Sequence, residues 1–482
     1  MRTEKDDANQ NRINRRNFLK LAGAAAASGA YALSRPPLSH AHDTSFTGRG
    51  APGGPGFWKK VRQAFILDPD LVYLNIGTTG AMPARVVDAY ARYNRLAAAR
   101  PGSYAKELGW EMGNKEKWGV MAGMFGCDAG EIVFTRNTTD GMDTILHGLR
   151  LREGDEILVT HHEHISALAP LRILRDRYGA ILREVEIPFS DPVDTAGILA
   201  AFRDSITHRT RAIVFSHITY KTGMRLPAKA ICRLAREYGL ISLVDGAHAA
   251  GMIALDFHDM GCDFYAASGH KWQCGPPGTG FLYIRNHGEG LPPFWPQNTA
   301  MYAGGSTYPG LADIFGDSFK NSREQLLANP YYKEISNIYA YGGQFDFPAR
   351  QAMLDACLFW ETIGRDRIES RVYALAGRLK HRIKKAFGGT AACFWPDNAG
   401  FHSGLTAFNP FPDTSDGDKI KTFVSRLKDE YGYHIRYTSF PLHIHDPSPA
   451  YALRISTHLF HSKSDIRGLV DAMADLYRHM AE

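Results

Sequence analysis

A lysine at the end of an apolar segment is the first residue whose type and position suggest chemistry. Lys271 follows the apolar run 263–267 and precedes the Gly/Pro-rich turn CGPPGTG. Most lysines are solvated surface charges, but burial lowers the pKa of an amine, and the neutral amine is a nucleophile that forms an imine with an aldehyde. We therefore expect Lys271 to hold an aldehyde as a Schiff base.

An aspartate ends a second apolar segment, in the motif VDGAH that contains Asp245 and His248. A carboxylate at a strand end can keep a pyridine nitrogen protonated, which makes the ring an electron sink. His248 could donate a hydrogen bond to a phenolic oxygen of the same ring. A helix cap is the alternative role for an isolated strand-end Asp; the lysine motif favours the chemical role.

A third motif, FTRNTTDG, predicts the junction between a strand and a helix. Thr138 and Thr139 lie at the expected helix N-terminus, where free backbone N–H groups and the helix dipole favour an anion such as phosphate. A plain N-cap is the alternative role for these threonines.

Three histidines within four residues, His161, His162 and His164, follow another predicted strand. Such a cluster raises the possibility of a metal site, but strand alternation would send His161 and His162 to opposite faces. No partner cluster elsewhere completes a ligand set. We therefore expect no metal, and we expect the His164 imidazole to stack on a cofactor ring.

An arginine on an apolar strand near the C-terminus, Arg454 in LRISTH, could bind a substrate carboxylate through two parallel hydrogen bonds. A structural ion pair is the alternative, and without context it is the more common role of such an arginine.

The elements that must position these residues alternate between short apolar runs and amphipathic segments with apolar residues every three to four positions. Gly179 and Gly239 follow two helical segments, where helices commonly end. Strands alternating with helices predict an α/β fold with a doubly wound, mostly parallel sheet. The predicted strands are 71–75, 131–135, 156–160, 181–187, 211–217, 240–245, 263–267 and 280–285, and the predicted helices include 83–99, 167–178, 195–206 and 227–238.

The alternating rhythm breaks over residues 288–340, which are rich in Pro, Gly, Tyr and Asn. We interpret this stretch as an irregular insertion at an active-site rim or a subunit contact. A long helical pattern then leads into a second α/β region. The predicted organisation is a large domain over residues 70–345 and a connecting helix with a smaller C-terminal domain over residues 346–482.

The N-terminus has the order of an export signal: NRRNFLK with the pair Arg15 and Arg16, then an Ala/Gly-rich apolar stretch, then a small-residue cleavage site. We expect residues 1–41 to be a twin-arginine signal peptide and residues 42–69 to be a linker and N-terminal segment, with flexible linker sequence to about residue 57. A disordered basic tail beside a short helix is the alternative. The export machinery is the implied partner, and the mature protein would be periplasmic.

Composition limits the remaining classes. The 482 residues, 44% of them hydrophobic and 22% charged, are typical of a soluble protein of two packed domains. The net charge of +6 is small and comes partly from the N-terminal arginines, so no nucleic-acid partner is indicated. No later apolar run approaches the length of a membrane span. The six cysteines are scattered, which argues against a disulfide framework or a zinc cluster and favours buried free thiols.

Together these motifs resemble the class V aminotransferases, a family of fold-type-I pyridoxal-5′-phosphate (PLP) enzymes that includes cysteine desulfurases and isopenicillin N epimerase-like proteins. The resemblance covers about residues 70–475 and lies in YLNIGTTGAMP, FTRNTTDGMD, HHEHIS, VDGAHAAG, SGHKW and RIST, with 26 residues from Asp245 to Lys271. It implies that Lys271 carries PLP as a Schiff base, that Asp245 pairs with the pyridine nitrogen, and that Arg454 binds the substrate carboxylate. The further implied cofactor ligands are His164, His248, and, for the phosphate, Thr138, Thr139, Ser268 and His270.

The segment Gly343-Gln344-Phe345-Asp346 resembles the family motif that reaches the phosphate of a neighbouring protomer, so a homodimer with shared active sites is implied. Gln344 replaces the usual threonine. Where desulfurases place an asparagine against the cofactor, this chain has HITY, so Thr219 or Tyr220 must serve differently.

No cysteine follows Cys393, so the desulfurase nucleophile loop has no counterpart there. We expect an aminotransferase- or epimerase-like reaction at Cα; the alternatives are a PLP-dependent lyase or desulfurase-like enzyme on a free amino acid, or a catalytically silent scaffold. The family pattern behind an export signal resembles exported PLP enzymes that modify a secreted peptidic siderophore, which suggests an amino-acid residue of a secreted peptide as substrate.

Overall fold

The computed structural model describes residues 55–110, 116–149, 151–188, 193–285 and 345–481, all within one compact unit that spans Arg49–Glu482. In chain order, its helices and strands up to residue 285 are α1 Pro55–Gln63, β1 Val72–Tyr73, α2 Ala84–Ala99, α3 Tyr104–Glu107, α4 Glu116–Met124, β2 Ile132–Thr135, α5 Thr138–Gly148, β3 Glu156–Thr160, α6 Ile165–Tyr178, β4 Ile181–Val185, α7 Thr195–Ser205, β5 Thr210–Ser216, α8 Ala228–Glu237, β6 Ile241–Asp245, α9 Phe257–Met260, β7 Phe264–Ser268 and β8 Gly280–Ile284. From residue 345 onward come α10 Phe347–Ile363, α11 Arg365–Phe387, β9 Ala392–Cys393, β10 Leu405–Asn409, α12 Gly417–Tyr431, β11 Tyr433–His434, β12 Arg436–His443, β13 Asp446–Ser456 and α13 Lys463–Ala481.

A seven-stranded sheet in the order β2-β8-β7-β6-β5-β3-β4 forms the centre of the fold. The neighbours from β7 to β4 are parallel, and β8 is antiparallel to both β7 and β2. Strands β6, β7 and β8 are buried along their whole length, as expected for a sheet covered on both faces. The predicted α/β fold with a large, mostly parallel sheet is confirmed.

Helices α5 and α6 cover one face of this sheet through a shared apolar core. Side chains from α5, such as Ile145, and from α6, such as Leu171, pack against sheet residues such as Val214 and Leu243. Burial of such side chains contributes about 1.5–3 kcal/mol each before the entropy cost of ordering is subtracted. The rigid sheet therefore fixes where each strand ends.

A four-stranded antiparallel sheet, β12-β13-β10-β9, lies in the C-terminal region. Helices α11, α12 and α13 pack on it around a core that includes Leu379, Phe423, Leu453 and Met473. Strands β12 and β13 form the hairpin that carries the C-terminal arginine motif.

Glycine ends two of the predicted helices where the sequence indicated. Gly179 caps α6 in the left-handed region with φ 68°, and Gly239, with φ 66°, follows the end of α8. This backbone conformation is costly for residues with a Cβ, which explains why glycine occupies both positions.

Two details of the N-terminal part differ from the sequence expectation. Helix α1 begins at Pro55, inside the stretch expected to be flexible linker to about residue 57; proline suits a first helical turn because its missing N–H has no partner there. The predicted strand 71–75 shortens to β1, which pairs with β11 rather than with the large sheet.

Residues 1–54 and the predicted insertion 288–340 lie outside the described residues. Among the helices that are described, none is both long and apolar enough to cross a membrane.

Candidate active site

The carboxyl ends of the parallel strands converge on a pocket of about 460 Å³. Loops that follow β2, β3, β5, β6 and β7 reach this edge of the sheet, where ligands of open α/β folds bind. The hairpin β12–β13 closes the other side. The pocket is lined by Gly77, Thr78, Asn137, Thr139, His164, Tyr220, His248, His270, Lys271, Arg436, Tyr437, Thr438, Ser439 and Arg454.

Lys271 lies in this pocket, three residues after β7 ends. Burial lowers the pKa of its ammonium to about 8; Asp245 opposes that shift, and Arg454 adds to it. A lysine with this pKa is partly neutral near pH 7–8, whereas an ordinary lysine is almost fully charged. Burial in the fold therefore gives Lys271 the partly neutral, nucleophilic amine that was expected at this strand end.

Asp245 ends β6 directly behind the pocket and is 3% exposed. Its Oδ1 accepts a hydrogen bond from the Ala247 backbone N–H at 2.9 Å, and its Oδ2 lies 3.3 Å from the Ser166 hydroxyl. The negative charge of Asp245 favours the protonated form of Lys271, so the two groups interact electrostatically. Asp245 does not cap a helix here, so the alternative suggested by sequence does not apply.

His248 lines the pocket and is held by Trp272. The indole N–H of Trp272 donates to His248 Nδ1 at 3.1 Å. Burial, with the nearby Lys271 charge, lowers the pKa of His248 well below its usual value. A neutral imidazole that accepts at Nδ1 carries its proton on Nε2, so His248 has an N–H donor available on its other nitrogen.

His164 also lines the pocket, at the N-cap of α6, and its ring packs edge-on against Tyr220 with centroids 4.8 Å apart. The predicted separation of His161 and His162 is wrong. Both follow the end of β3, where strand alternation no longer applies, and their rings lie side by side with centroids 3.9 Å apart. His162 approaches the carbonyl of Pro441 rather than the pocket.

The expected phosphate ligands form two layers at the start of α5. Thr139 and His270 line the pocket, while Thr138 and Ser268 contact each other behind it, with hydroxyl oxygens 2.7 Å apart. The Ser268 hydroxyl also accepts from the Thr138 backbone N–H at 3.1 Å. Asn137, rather than either threonine, is the N-cap, since its side chain accepts from the N–H of the third helical residue.

Arg454 reaches the pocket from β13 and is 3% exposed. Its guanidinium donates to Tyr220 O at 3.2 Å, to Asn75 Oδ1 at 3.3 Å and to Thr78 Oγ1 at 3.1 Å. In the part of the chain that the structure describes, it forms no ion pair with a carboxylate. Burial and the neighbouring Arg436 lower its pKa to about 10. The structural ion pair considered from sequence is therefore absent from this region.

Sequence reasoning missed several residues of this site. Thr78 links Arg454 and Arg436, because its hydroxyl accepts from both guanidinium groups. Of the two HITY residues that the sequence did single out, Tyr220 lines the pocket, whereas Thr219 hydrogen-bonds within its own turn. The motif YLNIGTTG contained the signal for Thr78, whereas Arg436 becomes recognisable only once β12 pairs with β13.

Gln344, the expected contact to a second protomer, lies outside the described residues. Of the same segment, Asp346 caps α10 by accepting from the Ala349 N–H at 2.9 Å.

Comparisons with known proteins identify the family of this chain. Residues 72–302 match the family profile described as "Aminotransferase class-V". "Isopenicillin N epimerase" of Streptomyces clavuligerus is 28% identical over 421 residues, which cover 86% of this chain and 97% of that protein. A "Probable cysteine desulfurase" of Methanothermobacter thermautotrophicus is 35% identical over 420 residues, with coverage of 86% and 97%.

Solved structures show the same fold. The apo structure of a cysteine desulfurase from Thermococcus onnurineus matches with a TM-score of 0.70 at 23% identity, covering 87% of this chain and 98% of that one. A lysine-to-alanine variant of C-DES, with glycine covalently linked to its PLP cofactor, matches with a TM-score of 0.70 at 22% identity, covering 86% and 99%. The fold is therefore that of the fold-type-I PLP enzymes.

PLP fits the residues that surround the pocket, and it is the cofactor that these relationships imply. Lys271 provides the amine, and the buried Nδ1 of His270 has no hydrogen-bond partner among the described residues. The α5 N-terminus favours a phosphate, and no acidic side chain is among the described lining residues to repel one.

Proposed function

Because this chain belongs to the class V aminotransferase family of PLP-dependent enzymes, we propose that it acts at Cα of an amino acid, or of an amino-acid residue in a secreted peptide. The proposed reaction is aminotransferase- or epimerase-like, and Lys271 holds the cofactor.

The observation that carries this proposal is the position of Arg454 in the same pocket as Lys271. A buried guanidinium without a carboxylate partner is costly unless a ligand supplies the anion. Arginine binds a planar carboxylate through two parallel N–H groups. A substrate with a free α-carboxylate and an amine reachable by Lys271 satisfies both groups at once.

PLP, when bound, supplies an electron sink for negative charge that develops at Cα of the substrate. Lys271 is the general base for the Cα proton, because its pKa near 8 lies close to neutral pH. Asp245 would hold the ring nitrogen protonated, and the Nε2–H of His248, whose Nδ1 accepts from Trp272, would be the donor for the phenolic oxygen. Arg454 would bind the substrate carboxylate and hold the amino acid in the pocket that Lys271 also lines.

A persulfide-forming desulfurase is disfavoured by the positions of the cysteines. All six lie in the described part of the chain, and none lines the pocket. Cys274, the cysteine nearest to Lys271 in sequence, is fully buried, and burial raises the pKa of its thiol. A buried thiol with a raised pKa is a poor nucleophile. A lyase that needs no protein thiol remains the second candidate, and the desulfurase-like relatives favour it.

The setting we propose is the periplasm. The pair Arg15 and Arg16 supports recognition by twin-arginine machinery, which transports folded proteins. A protein exported by this route can load PLP in the cytoplasm and carry it across the membrane. Replacing both arginines with lysine should leave the holoprotein in the cytoplasmic fraction; unchanged export would reject the assignment.

The reaction is tested by incubating purified holoenzyme in D₂O with free amino acids and with peptides that carry a free α-amino acid group. We expect deuterium at Cα of the substrate, detected by NMR. Uptake with stereochemical inversion indicates epimerisation, and formation of a keto acid indicates transamination. Release of a β-substituent would instead establish the lyase. A holoenzyme that exchanges no Cα proton in any substrate would contradict the proposal and favour a silent scaffold.

A further inference from the structure

A buried serine lies between two residues of the candidate cofactor site. Ser166 is the second residue of α6 and is 4% exposed. Its hydroxyl oxygen lies 2.9 Å from His164 Nδ1 and 3.3 Å from Asp245 Oδ2. One hydroxyl hydrogen is available for these two acceptors.

The backbone of the same serine decides which acceptor receives it. The Ser166 N–H donates to His164 Nδ1 at 3.1 Å, so that nitrogen has a donor even without the hydroxyl. Asp245 Oδ2 is a carboxylate oxygen, and hydrogen bonds to ionised acceptors are roughly twice as strong as neutral ones. The Ser166 hydroxyl therefore donates to Asp245.

A second buried acid lies near Asp245. Glu163, on the β3–α6 connection, is 1% exposed, and burial together with the nearby Asp245 raises its pKa. Two carboxylates in one buried region favour protonation of one of them. Glu163 takes its own donors from Thr160 and Ser216, so the Ser166 hydroxyl supports Asp245 alone.

We propose that Ser166 is a positioning residue that holds the Asp245 carboxylate in the orientation that faces the ring nitrogen of PLP. Its hydroxyl and the Ala247 N–H each hold one oxygen of the carboxylate. Without the hydroxyl, one carboxylate oxygen loses its donor, so the carboxylate can turn away from the ring nitrogen and holds the ring less firmly in its cationic form. This inference rests on the proposed function of Lys271 and Asp245 as cofactor ligands.

The test compares wild type, Ser166→Ala and Ser166→Thr, each reconstituted with PLP labelled with ¹⁵N at the ring nitrogen. The alanine variant keeps the backbone N–H that donates to the N-cap His164, so the helix start is preserved. We expect a pyridinium-like ¹⁵N shift in wild type and a shift toward neutral pyridine in Ser166→Ala. We also expect kcat to fall about tenfold with little change in KM, as for loss of a charge-assisted hydrogen bond.

The Ser166→Thr variant retains the hydroxyl and should restore the wild-type ¹⁵N shift. An unchanged ring-nitrogen shift in Ser166→Ala would overturn the role of Ser166, even if kcat falls for other reasons. Failure of wild type to load PLP on Lys271 is a separate outcome: it would overturn the proposed function itself, whatever the serine variants do.

Discussion

Arg436 and Arg454 face each other as register partners across the β12–β13 hairpin, and neither forms an ion pair with a carboxylate in the described part of the chain. Like charges directly opposite in an antiparallel pair are destabilising. The pair therefore destabilises the protein when no ligand is bound, which is typical of a site that binds an anion.

The arginine pair predicts how substrate binding responds to mutation. Arg454→Lys should raise KM for carboxylate substrates about tenfold or more, because lysine cannot form two parallel hydrogen bonds to the carboxylate. Steady-state kinetics with an amino acid and with its decarboxylated amine test whether the carboxylate contact is responsible. The KM of the amine, which has no carboxylate, should not change in Arg454→Lys. Arg436→Gln is the matched control; Arg436 is exposed and screened by solvent, so a smaller change in KM is expected. A larger effect at Arg436 would contradict this assignment.

The lowered pKa of Lys271 predicts the pH dependence of cofactor loading. Only the neutral amine attacks the aldehyde, so the rate of PLP incorporation into apoprotein should rise with pH and level off above about pH 8. An ordinary lysine would show a rate that keeps rising beyond about pH 10. Stopped-flow absorbance of PLP capture measures this profile; a continued rise through that pH would show that Lys271 is not desolvated.

Trp272 should fix the tautomer of His248 through a single hydrogen bond. Trp272→Phe removes the donor to His248 Nδ1, so the tautomer of His248 is no longer fixed, and we expect a changed visible spectrum of bound PLP and a kcat about tenfold lower. Trp360→Phe is the matched control, because Trp360 is equally buried but donates to the carbonyl of Gly251. If both variants alter the spectrum equally, the effect is one of general packing.

The raised pKa of Glu163 predicts that the stability of the folded protein depends on pH. Burial raises its pKa from 4.5 to about 7 in the folded protein, so its contribution to stability is fully present below pH 4.5 and is lost as pH rises through 7. The loss amounts to about 3 kcal/mol, because a pKa difference of one between the folded and unfolded states corresponds to about 1.4 kcal/mol. Denaturant unfolding at about pH 5 and about pH 8 should show most of this difference in wild type.

Glu163→Gln should remove most of that difference, because glutamine does not ionise. Glu184→Gln, at an exposed position of β4, is the control and should behave as wild type. Equal pH dependence in Glu163→Gln and wild type would show that Glu163 is ionised in the folded protein without penalty.

The sheet could be predicted closely from sequence because its strands are short apolar runs bounded by turn residues. The helices 195–206 and 227–238 correspond to α7 and α8 within one residue at each end. The pairing of β1 with β11 could not be predicted, because two-residue strands carry no periodicity and their partners lie about 360 residues apart.

The site was predictable where a residue type and its strand position agree, as for Lys271 and Asp245. Ser166 and Trp272 act through contacts between distant segments, which sequence spacing does not reveal. The prediction for His161 and His162 failed because the strand ends at Thr160, so alternation does not extend to either residue.

The central claim is that Lys271, rather than another buried lysine, binds PLP. Lys380 has an even lower pKa, about 7, but lies outside the pocket and donates to Thr406 and two backbone carbonyls, so pKa alone does not select the reactive amine. Borohydride reduction of holoprotein followed by peptide mapping measures this directly. We predict a single phosphopyridoxyl adduct on Lys271, absent in Lys271→Ala; an adduct on Lys380 or Lys221, or none in fresh holoprotein, would contradict the account.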